Sequence, residues 1–248
     1  MRLRKILILI FSLILHLQLL LGISSSQNLL DKLNYDVKIF AKNSVNYLSS
    51  PLRFDNKDII RVSIVGAGTI FLFNFDHFNK DFQKIDNATF KTAMKIDNYY
   101  GTVWMWGLIG GTLYSSGILS GNDKIRETGL MVFEAGALSG FVTTCLKIAF
   151  GRERPYVSGE KFKFHPFSFG GNKFYSLPSG HATLSFAVST VIASKFESKF
   201  IKFLIYTPAV LTALARVYNN QHWFSDVFLG SAIGYFTGVY IVNAHKQH

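Results

Sequence analysis

The sequence predicts an all-α protein, a helical bundle of about six core helices embedded in a membrane. Three observations predict it. Hydrophobic residues make up 49% of the 248 positions and charged residues 17%, against a usual charged share of about 25%. Apolar segments recur at 59–75, 103–119, 129–150, 182–193, 203–217 and 227–242, without the strict alternation of half-buried strands. Within them Gly, Ala, Ser and Thr stand among large side chains, as in closely packed helices.

Residues 1–26 begin with basic Arg2, Arg4 and Lys5, continue with an apolar run over 6–21 and end in small residues. This is the pattern of a signal peptide with cleavage near 24–26, or of an N-terminal anchor. His16 and Gln18 weaken a permanent span. Residues 27–58 are polar, carry Pro51 and show no strong period, so they predict a short amphipathic helix or two. Residues 59–248 form the helical domain. Segment 129–150 has the roughly 20 residues that a spanning helix needs, with Glu134 inside it. Several of the others are shorter and also suit buried helices of a soluble bundle. The longest polar connection of the second half, 151–177, contains Gly170-Gly171.

Basic residues gather in three places: Lys124 and Arg126; Lys195, Lys199 and Lys202; His245 and Lys246. A cytoplasmic position for all three puts the 151–177 loop and the 216–226 connection on the outer side. With the leader removed, the chain starts outside, and a crossing at 59–75 would invert that arrangement. Either 59–75 lies on or partly in the membrane, or the bundle is soluble and exported.

The formal net charge is +11, and +8 without the leader's three basic residues. Such an excess suits an anionic partner, a phosphate or a lipid head group. Nucleic acid is excluded, because the basic residues are scattered between apolar segments and form no stripe. Cys145, the only cysteine, cannot form an intrachain disulfide and reads as an apolar core residue.

Three stretches carry the chemistry. In "KIAFGRERP", Lys147 ends an apolar helix, and Arg154 precedes Pro155, which stops further helix. In "SLPSGHATLSF", Ser179 and Gly180 stand at a helix start, where backbone N–H groups bind anions, and His181 stands beside them. In "ARVYNNQHWFSDVFLG", Arg216 closes a helix and His222 and Asp226 stand four apart. On a helix these two share a face. The carboxylate can then take the Nδ1 proton and leave Nε2 free to attack. Taken singly, each stretch also reads as ordinary helix capping.

Together, in this order and spacing, the chain resembles the type 2 phosphatidic acid phosphatase superfamily, which also holds bacterial acid phosphatases and vanadium haloperoxidases. Its signature is Lys-x6-Arg-Pro, Pro-Ser-Gly-His and Ser-Arg-x5-His-x3-Asp. The departure is Ala215 where the family has Ser, a position that carries no chemistry.

The resemblance implies an all-helical phosphatase acting on lipid phosphomonoesters or diphosphates through a phosphohistidine. His222 would be the nucleophile, Asp226 its orienting carboxylate and His181 the general acid. Lys147, Arg154, Arg216 and the backbone at Ser179 and Gly180 would bind the phosphate. Three fixed cations supply what Mg²⁺ supplies elsewhere, so no metal or other cofactor is expected. The expected place is a bacterial inner membrane with a periplasm-facing site. The alternatives are a soluble periplasmic acid phosphatase and, further off, a vanadate-dependent haloperoxidase. Weaker candidates are Asp76, His77 and Asp81, as metal ligands or a solvated loop. Glu134 reads as a functional or helix-packing carboxylate, and His165 as a substrate contact in the long loop.

Overall fold

The computed structural model describes residues 26–247, so the proposed leader lies outside the described residues. Seven long helices run through it: α1 (Ser26–Leu48), α2 (Asn56–Leu72), α3 (Val103–Ser120), α4 (Asp123–Phe150), α5 (Gly180–Ala193), α6 (Lys199–Tyr218) and α7 (Phe224–His245). Among the described residues there is no strand, only a bridge between Arg152 and Phe164. The starts follow local chemistry. Asp55, Thr102, Asn122, Ser179 and Ser198 each accept a backbone N–H of the turn they open. Gly121 and Gly151 end α3 and α4 in the left-handed conformation. At Gly151 a side chain would also strike the carbonyl of His165.

Helix α5 occupies the centre, with α4, α6 and α7 around it. One core cluster joins Val132, Ala135 and Leu138 of α4 to Ala187, Val188 and Val191 of α5 and Ile241 and Val242 of α7. The α5–α7 contact is very close. A Cβ at Gly230 would lie 2.4 Å from the carbonyl oxygen of Ser179, and one at Gly234 would lie 2.1 Å from that of Thr183.

Helix α1 is longer than the sequence predicts, and its inner face is polar. Asp36 pairs with Arg126 and accepts the Tyr114 hydroxyl at 2.7 Å. Asn43 donates to Glu134 at 3.0 Å, and His245 Nε2 lies 3.1 Å from the same carboxylate oxygen. Glu134 is therefore a helix-packing group. It sits 13 residues before Lys147, about 20 Å down the helix at 1.5 Å per residue.

Among the described residues, α4, α6 and α7 are long and apolar enough to cross a membrane. Helix α2 joins this set if the short helix after it, bent by 51°, completes one span. The outward faces are apolar: Ile60 and Phe71 of α2, Phe141 of α4, Phe203 of α6 and Phe236 of α7 are all exposed. Cys145 lies on such a face of α4, not in the core. A lipid-facing stripe is as apolar as a core stripe, so composition alone does not separate them.

Candidate active site

Four helices and two of their connections bring the three motifs to one end of the bundle. Lys147 lies in the last turn of α4, Arg154 in the loop beyond Gly151, Arg216 in the last turn of α6, and Ser179 to His181 at the start of α5. His222 sits in the short connection before α7, and Asp226 is the third residue of that helix. Backbone bonds lock the pieces together. Ser179 N donates to Asp226 O at 2.9 Å, His222 N to Arg216 O at 3.1 Å, and Ser176 N to Arg152 O at 3.0 Å.

The cations are held from behind. Lys147 Nζ donates to the Tyr175 carbonyl. Arg154 donates to Asn172 O at 2.8 Å and Asn172 Oδ1 at 2.6 Å. Arg216 pairs with Asp97 at 3.0 Å, and Asp97 also accepts from Asn219. The Gln221 side-chain oxygen bridges Arg154 and Arg216 at 3.3 and 3.4 Å. Among the described residues, Lys147 and Arg154 have no carboxylate at ion-pair distance, and the buried Nε of Arg216 has no partner. A buried cation cluster with incomplete counter-charge is suited to an anion.

His222 is almost wholly buried. Its Nδ1 lies 3.5 Å from Asp226 Oδ2, too long for a hydrogen bond, and has no other partner. The Asp226 oxygens are already engaged: Oδ2 accepts from Trp223 N at 2.9 Å and from Ser176 Oγ, and Oδ1 from Arg152 at 2.7 Å. Apo catalytic contacts are commonly long and tighten with substrate. Burial, then Arg154, Lys147, Arg216 and His181, hold the His222 ring well below the usual imidazole range. The neutral ring is the form that can attack.

One pH prediction follows. Free of ligand, His222 is expected to remain neutral below the pH at which an ordinary histidine takes up its proton. Nitrogen-15 NMR of histidine-labelled protein checks this, with the resonance assigned by its loss in His222→Ala. A ring titrating near 6.5 would contradict it. Below that value the unfolded chain binds a proton that the folded one refuses, so this group's contribution to stability falls as pH falls.

The other candidates separate from the site. His165 pairs with Glu153 at 2.8 Å and packs at a tilt against Phe174. Asp76 is not solvated, and among the described residues it joins no group of three side chains that could hold a metal. It is buried and paired with Arg152 at 2.8 Å, while His77 and Asp81 are exposed. The sequence does not single out Arg152, Asp97, Asn172 or Gln221, and it offers Asp76 in another role.

Residues 128–248 match the sequence family described as the PAP2 superfamily. This part of the chain belongs to the PAP2 superfamily. Within that superfamily it is similar to a lipid A 1-phosphatase of Porphyromonas gingivalis, 28% identical over 240 residues that cover 94% of this chain and 48% of the relative. A lipid A 1-phosphatase of Rhizobium johnstonii is 35% identical over 108 residues, 43% of each chain. The chain therefore spans about half the length of the curated relatives it matches. The fold resembles that in the crystal structure of Aquifex aeolicus LpxE, with a TM-score of 0.51 at 20% identity, covering 67% of this chain and 93% of that one. Asp76, which pairs with Arg152, and Asp97, which pairs with the motif residue Arg216, lie before the part that matches the PAP2 superfamily.

Proposed function

We propose that this protein is a membrane phosphatase that releases phosphate from a lipid phosphomonoester or diphosphate through a phosphohistidine on His222. The observation that carries the proposal is the convergence of Lys147, Arg154 and Arg216 around a buried neutral imidazole backed by Asp226. Phosphoryl transfer needs positioning and charge neutralisation above all. The three cations and the α5 N-terminus hold the phosphate oxygens. His222 Nε2 attacks phosphorus in line and the bond to the lipid oxygen breaks; His181, held down at about 3 in the empty site by burial and the cations, takes up a proton when the anionic phosphate binds and gives it to that oxygen. Water then cleaves the P–N bond, returning its proton to His181. No step needs a metal.

A lipid substrate is supported by the apolar exterior and by a neighbouring apolar groove of about 980 Å³ between α1, α2, α4 and α7. Phe150, Phe164 and Leu177 line its site end. The relatives' names make lipid A the first lipid to try, ahead of phosphatidate, phosphatidylglycerol phosphate and undecaprenyl diphosphate. The basic α3–α4 and α5–α6 turns and the end of α7 lie at the pole opposite the site. A cytoplasmic basic pole leaves the site on the periplasmic side.

The test is phosphate release by detergent-purified protein in EDTA, offered lipid phosphates beside a small soluble ester. Preference for a lipid, undiminished by the chelator, is expected. Equal or faster turnover of the soluble ester would overturn the lipid reading, and loss of activity in EDTA the metal-free mechanism.

A further inference from the structure

The guanidinium of Arg152 is fully buried at the back of the site and makes no approach to the phosphate cradle. All five of its N–H donors are used. Nε and Nη2 donate to Lys161 O at 3.1 and 2.6 Å, Nη2 to Asp76 Oδ2 at 2.8 Å, and Nη1 to Ser225 Oγ and Asp226 Oδ1, both at 2.7 Å. Phe73, Phe164 and Trp223 surround it, the Phe73 ring centroid 4.6 Å away. Asp76 completes the set. Its Oδ1 accepts Ser225 N at 3.0 Å, and its Oδ2 also accepts Ser225 Oγ at 2.7 Å. It thereby caps the first turn of α7, the turn that carries Asp226.

A buried ion triad contributes little to stability that apolar residues of the same size would not, and removing one member leaves an unpaired charge. Its value lies in geometry. Arg152 spans two carboxylates with a planar fork, which a lysine cannot do. It fixes Asp226 Oδ1 and so aims Oδ2 at His222 Nδ1. Asp76 shares the guanidinium charge and leaves the Asp226 carboxylate with electron density for the imidazole.

We propose that Arg152 and Asp76 are positioning residues that, through Asp226, hold His222 in the tautomer with Nδ1 protonated and Nε2 free. This rests on the phosphatase reading for its kinetic consequence but not for its spectroscopic one.

The experiment compares wild type with Asp76→Asn and Arg152→Lys, purified in detergent. Both substitutions keep size and polarity, and a thermal melt verifies folding. Two readouts are taken. Nitrogen-15 NMR at neutral pH reports the tautomer of His222, and lipid-phosphate turnover gives kcat and KM. The expected result is a single Nδ1–H tautomer in the wild type and a mixture in each variant. With it, kcat falls about 10- to 100-fold, the range found for partners that orient a functional histidine from outside. KM stays within about 3-fold, because neither residue touches the phosphate. Should Arg152→Lys fail to fold, Asp76→Asn decides the matter alone. A wild-type tautomer and wild-type kcat in the folded variants overturn the proposal, as does a loss confined to KM. If the wild type turns over no phosphate ester, the phosphatase reading fails, and the tautomer comparison still supports or overturns the positioning role.

Discussion

Replacing His222 by alanine is expected to lower kcat for phosphate release by roughly 10⁴-fold or more, the scale seen when a covalent nucleophile is removed. The loss should fall on kcat and spare binding. Lys147, Arg154 and Arg216 are held by Tyr175, Asn172, Asp97 and Gln221, none of which depends on the imidazole. The variant should therefore still bind inorganic phosphate within a few-fold of wild type. Steady-state kinetics and an anion-binding titration check the two halves of this expectation. Wild type quenched in alkaline detergent after incubation with phosphorus-32-labelled substrate should carry base-stable, acid-labile label that the variant lacks. Activity within tenfold of wild type, or label on the variant, would remove His222 from the nucleophile's role.

The second large effect is structural. Gly234→Ala is expected to destabilise the bundle by about 3 kcal/mol, the upper end for overpacking a tight interior contact. The added Cβ would lie 2.1 Å from the Thr183 carbonyl oxygen and 2.9 Å from Ala187 N, both backbone atoms of the central helix. No rotamer change relieves such a contact, so α5 and α7 must separate. Gly230 and Gly238 make similar approaches on the same face, so the separation spreads along the whole interface. Gly140→Ala is the control: nothing lies within 4 Å of its Cβ. It should be neutral, or stabilising by about 0.5–1 kcal/mol as alanine replaces glycine in a helix. Thermal melts in one detergent compare the two. Equal midpoints would mean that the glycine face does not set the helix spacing.

Six of the seven long helices were legible in the sequence because each carries its own apolar run. Their ends were less so. Helix α4 starts six residues before the predicted segment, since its first turn, Asp123 to Arg126, is charged and pairs with Lys32 and Asp36 instead of joining the apolar stripe. Helix α1 was read as shorter pieces because its buried face carries Asp36 and Asn43, which hydrophobic periodicity cannot register. The motif residues were legible because their spacing is local. The pairings of Arg152 with Asp76 and of Arg216 with Asp97 were not. Arg152 meets Asp76 across 76 residues, and Arg216 meets Asp97 across 119. Such pairings exist only once the chain has folded.

Those two pairings divide the molecule in an unequal way. Every group assigned here to handle the phosphate lies after residue 128, where the family match begins, while two of the carboxylates that balance its arginines lie before it. The matched region is thus not a self-sufficient module. A fragment starting at residue 128 would keep the whole signature and bury two arginines without Asp76 and Asp97.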